Sequence, residues 1–166
     1  MDKWTLKTGI LACEFIETIG NEIDLVFIDT MHTTPGEMLD WLMVLPFLKE
    51  GAIVVLHDIF WMFHRPKRYQ INYSNNQVFC YIRGELILPN NGNQIFSVNI
   101  GALKLYSNQK QYYQIYFVAL GNQWEYMPHD SDLKIMRDFF MKYYGEKLVE
   151  IFDKAVEYNQ KLKKKY

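Results

Sequence analysis

Two stretches of the sequence decide the fold class: IDLVFIDTMH at residues 23–32 and GAIVVLHD at residues 51–58. Each is a nearly continuous apolar run that ends in acidic and histidine residues. Apolar runs of this kind are typical of parallel strands that are covered on both faces. Residues 34–45, between them, carry the start signals and the apolar stripe of a helix. Strand, helix and strand in this order predict a parallel α/β sheet.

The helix between these strands has a predicted beginning and end. Thr34 is expected to cap it, Pro35 to occupy its first turn, and Glu37 to complete a capping box three residues after Thr34. Pro46 is expected to end it. The residues predicted to form its buried stripe are Met38, Leu39, Leu42, Met43 and Leu45.

The rest of the chain is predicted to complete a single domain over residues 1–166. Alternation over residues 4–8 predicts a short strand, and the spacing of apolar residues predicts a helix over 10–19 that ends at Gly20. Later strands, joined in an antiparallel way, and a helical C-terminal part are expected. Their predicted ranges are 77–82, 85–88 and 100–106 for the strands, and 109–120, 131–144 and 146–164 for the helices.

Composition excludes several classes of partner. The net charge of −1 gives no general attraction to nucleic acid, and no run of eighteen apolar residues is present to span a membrane. Aromatic residues make up 16% of the chain, which predicts either a crowded core or a surface that a partner covers. Cys13 and Cys80 lie in apolar patterns, so buried thiols and a cytoplasmic location are expected.

Acidic and histidine residues follow both parallel strands. Asp29 ends the first strand with His32 three residues further on, and His57 and Asp58 end the second. Neighbouring strands lie about 5 Å apart, and open α/β sheets bind ligands outside the carboxyl ends of their strands. These side chains are therefore expected to share one crevice. The alternative is that the acids bind loop amides and that the histidines are only their hydrogen-bond partners.

This group has a predicted chemistry. Two carboxylates and an imidazole can hold a hard divalent cation such as Mg²⁺, which lowers the pKa of a hydroxyl group that it binds. Asp29 and His32 are the candidate catalytic residues, with the imidazole of His32 removing the proton of a substrate hydroxyl.

Three segments together resemble a known family: IDLVFIDTMH at residues 23–32, PGEMLD at 35–40 and LPFLKEGAIVVLHD at 45–58. They are similar to the fourth and fifth strands of class I S-adenosylmethionine (SAM)-dependent methyltransferases, and the resemblance covers residues 4–60. It is greatest for the subgroup associated with O-methylation of small molecules and saccharides. The resemblance implies a partial Rossmann-like sheet, SAM as cofactor, and a small-molecule or saccharide acceptor.

The resemblance also implies roles for individual residues. Metal-dependent members bind Mg²⁺ through the acid after the fourth strand and the pair after the fifth, which correspond here to Asp29, His57 and Asp58. His57 stands where several relatives have a carboxylate or another oxygen ligand. Thr8 and Gly9, after the expected third strand, correspond to positions that line the adenine pocket of the family.

One part of the family pattern is absent from the sequence, namely the strand, glycine-rich turn and helix that bind the cofactor. The resemblance therefore implies the C-terminal portion of such a domain, incomplete at its N-terminal side. An exposed sheet edge would have to be paired, covered or exchanged between chains, so a homo-oligomer is expected. Three functions are predicted: SAM-dependent O-methylation, a non-catalytic module for assembly or partner binding, and metal-assisted hydrolysis by Asp29, His32, His57 and Asp58.

Overall fold

The computed structural model describes residues 4–59, 74–89 and 99–163. Short 3-10 helices at Leu45–Phe47 and Gln109–Tyr112 supplement the main elements. The main elements are α1 (Ala12–Ile19), β1 (Ile23–Ile28), α2 (Gly36–Val44), β2 (Leu48–His57), α3 (Ser74–Tyr81), β3 (Gly84–Ile87), β4 (Ile100–Leu105), α4 (Tyr113–Ala119), α5 (Asp130–Tyr144) and α6 (Glu146–Lys163).

The four strands form one mixed sheet in the order β1-β2-β4-β3. β1 and β2 are parallel, with Phe27 opposite Val55 and Ile28 opposite Leu56. β4 runs antiparallel to both β2 and β3. The predicted α/β class is therefore confirmed, with parallel strands first, antiparallel strands later and a helical C-terminal part that is consistent with a partial Rossmann-like fold.

The two faces of the sheet differ in burial. Val54 and Leu56 of β2 are fully buried and point toward the helices, where α2 is buried along almost its whole length. The opposite face is open in the part of the chain that the structure describes, where Leu25 and Phe27 are more than half exposed and Ile53 is 37% exposed. The expectation that both faces would be covered is thus met on one face only.

Aromatic rings of the C-terminal helices account for much of the core. Phe140 of α5 contacts Phe117 of α4 and Phe152 of α6 edge-on, with ring centroids 5.4 Å and 5.2 Å apart. These three rings are almost fully buried. Edge-to-face pairs of this kind stabilise a core beyond the area that they bury. A crowded core therefore explains a large part of the aromatic content.

Most predicted elements are confirmed, but three predictions were wrong. Residues 4–8 form no strand, because no described strand pairs with them and their side chains are exposed. Residues 77–81 belong to helix α3 and Ile82 directly follows it; Val78 and Ile82, four positions apart, are both buried. The helix expected over 109–120 is divided into a 3-10 turn and the shorter α4.

Two further findings concern the cysteines and the membrane. Cys13 is buried as expected, whereas Cys80 is exposed, so the prediction of two buried thiols was half wrong. The reason is that Cys80 lies in a helix, where the strand pattern that predicted its burial does not apply.

None of the described helices is long and apolar enough to cross a membrane.

Candidate functional site

The carboxyl ends of β1 and β2 bring three of the predicted site residues together. Because Ile28 lies opposite Leu56, the residues that follow these strands emerge side by side at one edge of the sheet. Single ligand atoms of Asp29, His32 and Asp58 all lie within 4.8 Å of one another. The structure therefore contains the shared crevice that the strand ends predict, while the chemical roles of its residues stay predictions.

The imidazole of His32 is the centre of this cluster. Its Nε2 lies 2.8 Å from Oδ2 of Asp58 and 3.7 Å from Oδ1 of Asp29. Its Nδ1 lies 3.0 Å from Oε1 of Glu37. The ring thus has carboxylates on both sides and is only 24% exposed. Such a ring cannot rotate without losing contacts on both nitrogens.

Asp58 is held in place by its backbone and by two side chains. Its φ of 56° lies in the left-handed region, which aspartate tolerates better than most residues. The side-chain amide of Asn99 donates to Oδ1, while Oδ2 faces His32. With its side chain only 9% exposed, Asp58 is a pre-positioned carboxylate.

His57 faces the same two carboxylates but is not part of the converging group of three. Its Nδ1 is 3.4 Å from Oδ1 of Asp29 and 3.4 Å from Oδ1 of Asp58. Its side chain is 41% exposed, which is much more than that of His32. The converging group of three contains His32, although the family resemblance assigns the third ligand position to His57.

The loop that carries His32 is fixed by contacts that the capping prediction missed. Thr34 is 1% exposed and donates to the carbonyl oxygen of Gln123 at 2.9 Å, so its hydroxyl is not available to cap α2. Pro35 occupies the N-cap position without a side-chain cap hydrogen bond. The capping-box prediction was therefore wrong, because a segment far along the chain satisfies Thr34.

Glu37 is the site residue that sequence reasoning missed. It was assigned to a capping box, but it is 1% exposed and contacts Nδ1 of His32. Glutamate is almost never fully buried unless it is paired. The signal available in the sequence was an acid five residues after His32, near the start of a largely apolar helix.

Thr8 and Gly9 do not occupy the place that was expected for them. Both are exposed and follow no strand, and the φ of Gly9 is +71° with open space around its Cα. Their predicted position at the end of a third strand was therefore wrong. Their contact with adenine stays a prediction.

A cavity of about 410 Å³ lies beside the loop between β1 and α2. Four methionines and two leucines make up nearly half of its lining, and its polar members are Thr30, Asp40, Tyr126, His129 and Asp132. Burial raises the pKa of Asp40, while a 2.7 Å hydrogen bond from the hydroxyl of Thr30 acts in the opposite direction. Burial, with the nearby carboxylates of Asp40 and Glu37, raises the pKa of Tyr126 to about 12. The phenol of Tyr126 is therefore protonated at neutral pH.

Comparison with known proteins bears on this part of the chain. Residues 4–59 match the model of a family described as a methyltransferase domain. This segment is methyltransferase-like. The methyltransferase-like segment contains β1, α2 and β2, and it ends one residue after Asp58. No curated protein and no solved structure matches the chain.

Proposed function

We propose that the protein is a SAM-dependent methyltransferase that acts on a hydroxyl group of a small molecule or saccharide. The observation that carries this proposal is the convergence of Asp29, His32 and Asp58 inside the segment that matches a methyltransferase domain. In the reaction, the bond between the sulfonium sulfur and the methyl carbon breaks and an oxygen–carbon bond forms. The sulfur keeps the electron pair, and the hydroxyl proton must pass to a base.

The donor atoms of the site fit a divalent cation, because two carboxylates and an imidazole converge there. Such a cation, when bound, lowers the pKa of the acceptor hydroxyl. Sequence reasoning assigned His32 as the base and His57 as a ligand. Both rings face both carboxylates, but His32 makes the shortest contact, 2.8 Å to Asp58, and belongs to the converging group, whereas His57 lies 3.4 Å from each acid and is the more exposed ring. These differences favour the reverse roles. We therefore assign Asp29, His32 and Asp58 to the cation and proton removal to His57.

The cavity beside Thr30 is the place that we propose for SAM. A volume of about 410 Å³ lies within the range of small-molecule sites, and its apolar lining suits an adenine ring. Asp40 and Tyr126 supply polar groups that can accept and donate hydrogen bonds. No glycine-rich turn follows β1 or β2 in the described residues. The residues that line this cavity would therefore make more of the contacts with SAM than they would in a protein that has the turn.

The test is SAM binding followed by turnover. Calorimetric titration is expected to give saturable micromolar binding, and a panel of catechols and monosaccharides with a divalent cation is expected to yield S-adenosylhomocysteine. Asp58→Asn keeps the shape of the side chain and should lower turnover about 100-fold or more, whereas Asp138→Asn, at an exposed position of α5, should not. Absence of SAM binding would refute the proposal.

We also propose a cytoplasmic location for the protein, because the free thiol of Cys13 suits a reducing compartment.

A second candidate function, a non-catalytic module for assembly, is favoured by the open face of the sheet. Leu25 and Phe27 of β1 are 59% and 55% exposed, and Ile53 of β2 lies next to them. Exposed apolar patches of this kind mark interaction surfaces. A second copy of the chain is the partner that we infer. Sedimentation velocity separates the two candidates, because a stable monomer that turns over SAM would leave the module without support.

A further inference from the structure

The donor set of the site differs from the one that Mg²⁺ prefers. Its three converging atoms are carboxylate oxygens of Asp29 and Asp58 and the imidazole nitrogen Nε2 of His32. Mg²⁺ is held by oxygen ligands and keeps several waters, whereas imidazole suits the later divalent ions of the first transition row. A ring nitrogen 2.8 Å from one carboxylate and 3.7 Å from the other favours an ion that accepts both nitrogen and oxygen.

Glu37 contacts the ring nitrogen of His32 that points away from the two aspartates. Its Oε1 lies 3.0 Å from Nδ1, so a proton on Nδ1 would be donated to this carboxylate, and Nε2 is the nitrogen that faces Asp29 and Asp58. Glu37 is 1% exposed and lies on the rigid first turn of α2. A carboxylate on the far nitrogen is the arrangement that orients metal-bound histidines and raises their basicity.

We propose that Asp29, His32 and Asp58 bind a later divalent transition ion such as Co²⁺ or Zn²⁺ in preference to Mg²⁺, with Glu37 as a positioning residue. The inference rests on the proposed function only for the use of the bound ion in methyl transfer. Binding of the ion itself is a property of the protein alone and can be measured without SAM or an acceptor.

The experiment titrates the metal-free protein with Co²⁺ and with Mg²⁺. We expect Co²⁺ to bind at least about tenfold more tightly and to develop visible absorption bands that report a nitrogen ligand. His32→Ala should abolish these bands, while His129→Ala, which removes an exposed histidine outside the cluster, should leave them unchanged. Equal or tighter binding of Mg²⁺, or bands that survive in His32→Ala, would overturn the proposal.

The role of Glu37 is tested with Glu37→Gln, which preserves size and removes the charge. We expect the Co²⁺ affinity to fall about 10-fold to 100-fold. A smaller change, in a variant whose melting temperature matches that of the wild type, would overturn the positioning role.

If Glu37→Gln does not fold, the wild-type protein gives the answer directly. The nitrogen-15 shifts of the His32 ring in the Zn²⁺ complex should show a proton on Nδ1 and none on Nε2, and the opposite tautomer would contradict the proposal. These readouts are independent of catalysis. Ion selectivity without any methyl transfer would refute the proposed function alone, and methyl transfer that prefers Mg²⁺ would refute this inference alone.

Discussion

The hydroxyl of Thr34 donates a 2.9 Å hydrogen bond to the carbonyl oxygen of Gln123, 89 positions further along the chain. The carbonyl oxygen of Thr34 in turn accepts a 2.9 Å hydrogen bond from the backbone N–H of Glu125. Thr34 is 1% exposed and lies two residues after His32. The loop of the candidate site is therefore fixed by the C-terminal half of the molecule.

Replacing Thr34 by valine should loosen this connection. The substitution keeps the volume but leaves the carbonyl oxygen of Gln123 without its donor, which costs about 1–3 kcal/mol in the free energy of unfolding. Co²⁺ affinity should also fall, because His32 is less well held. Urea unfolding and metal titration measure the two effects. Thr18→Val, at an exposed hydroxyl that contacts only its own helix, is the control, and equal stability of both variants would contradict the prediction.

Gly36 is the first residue of α2 and packs against the backbone of the loop that carries His32. A Cβ at this position would lie 2.7 Å from the backbone carbonyl oxygen of Met31, which cannot move without moving the loop. Helix propensity alone favours alanine over glycine by about 1 kcal/mol. We expect the steric clash to exceed this gain, so Gly36→Ala should lower both the melting temperature and the Co²⁺ affinity.

Gly121→Ala is a graded control for this prediction, because its Cβ would meet the carbonyl oxygen of Val118 at the milder distance of 3.1 Å. It should have a smaller effect on stability. It should have no effect on metal binding, because it lies outside the site loop. A Gly36→Ala variant as stable as the wild type would show that the loop can move away.

The contribution of Asp40 to the free energy of unfolding should be more favourable at acidic pH than at neutral pH. Burial raises its pKa in the folded state above its ordinary value, so the folded state binds the proton more tightly than the unfolded state. This contribution favours folding below the unfolded pKa and is lost as the pH rises through the folded pKa. Asp40→Asn, which can still accept the hydrogen bond from Thr30, should therefore stabilise the protein by up to about 1 kcal/mol at neutral pH.

The measurement is urea unfolding of wild type and Asp40→Asn over a range of pH. The difference between them should shrink as the pH falls below the ordinary pKa of aspartate. Asp138→Asn, an exposed position on α5, should change stability by less than about 0.5 kcal/mol. A destabilised Asp40→Asn variant at neutral pH would contradict the expected sign.

The two cysteines should differ in reactivity. Burial, with the carboxylate of Glu14 as a second cause, raises the pKa of Cys13 to about 11, and the thiolate is the reactive form. Iodoacetamide at mildly alkaline pH should therefore modify exposed Cys80 in the native protein and leave Cys13 unmodified. Peptide mass spectrometry before and after unfolding in urea measures this. Modification of Cys13 in the native protein would show that the packing of α1 against the core does not shield the thiol, contrary to the prediction.

Local patterns in the sequence predict much of the fold and part of the site. The apolar runs around Val26 and Val54 specify two neighbouring parallel strands, and their order in the chain places Asp29 and Asp58 at one sheet edge. These inferences succeed because they depend on residues that are close in sequence. The long helices α5 and α6 are predicted for the same reason, from the spacing of their apolar residues.

Predictions fail where the partner of a residue lies far away in the chain. Thr34 has the sequence context of a helix cap, but its hydroxyl donates its hydrogen bond to the carbonyl oxygen of Gln123. Residues 4–8 have the alternation of a strand, but no described strand pairs with them. Val78 and Ile82 fit a strand or a helix equally well over so short a run, and packing against the core selects the helix.

The position of β1 has a consequence for how the site opens. In the part of the chain that the structure describes, β1 is an outer strand with hydrogen bonds to β2 alone, whereas β2 lies between β1 and β4. Amide protons of β1 should exchange with solvent sooner than those of β2, because fraying of an outer strand breaks one ladder instead of two. Asp29 would thus leave the crevice during local opening events in which Asp58 stays. A bound ion would join the two strand ends and slow that exchange.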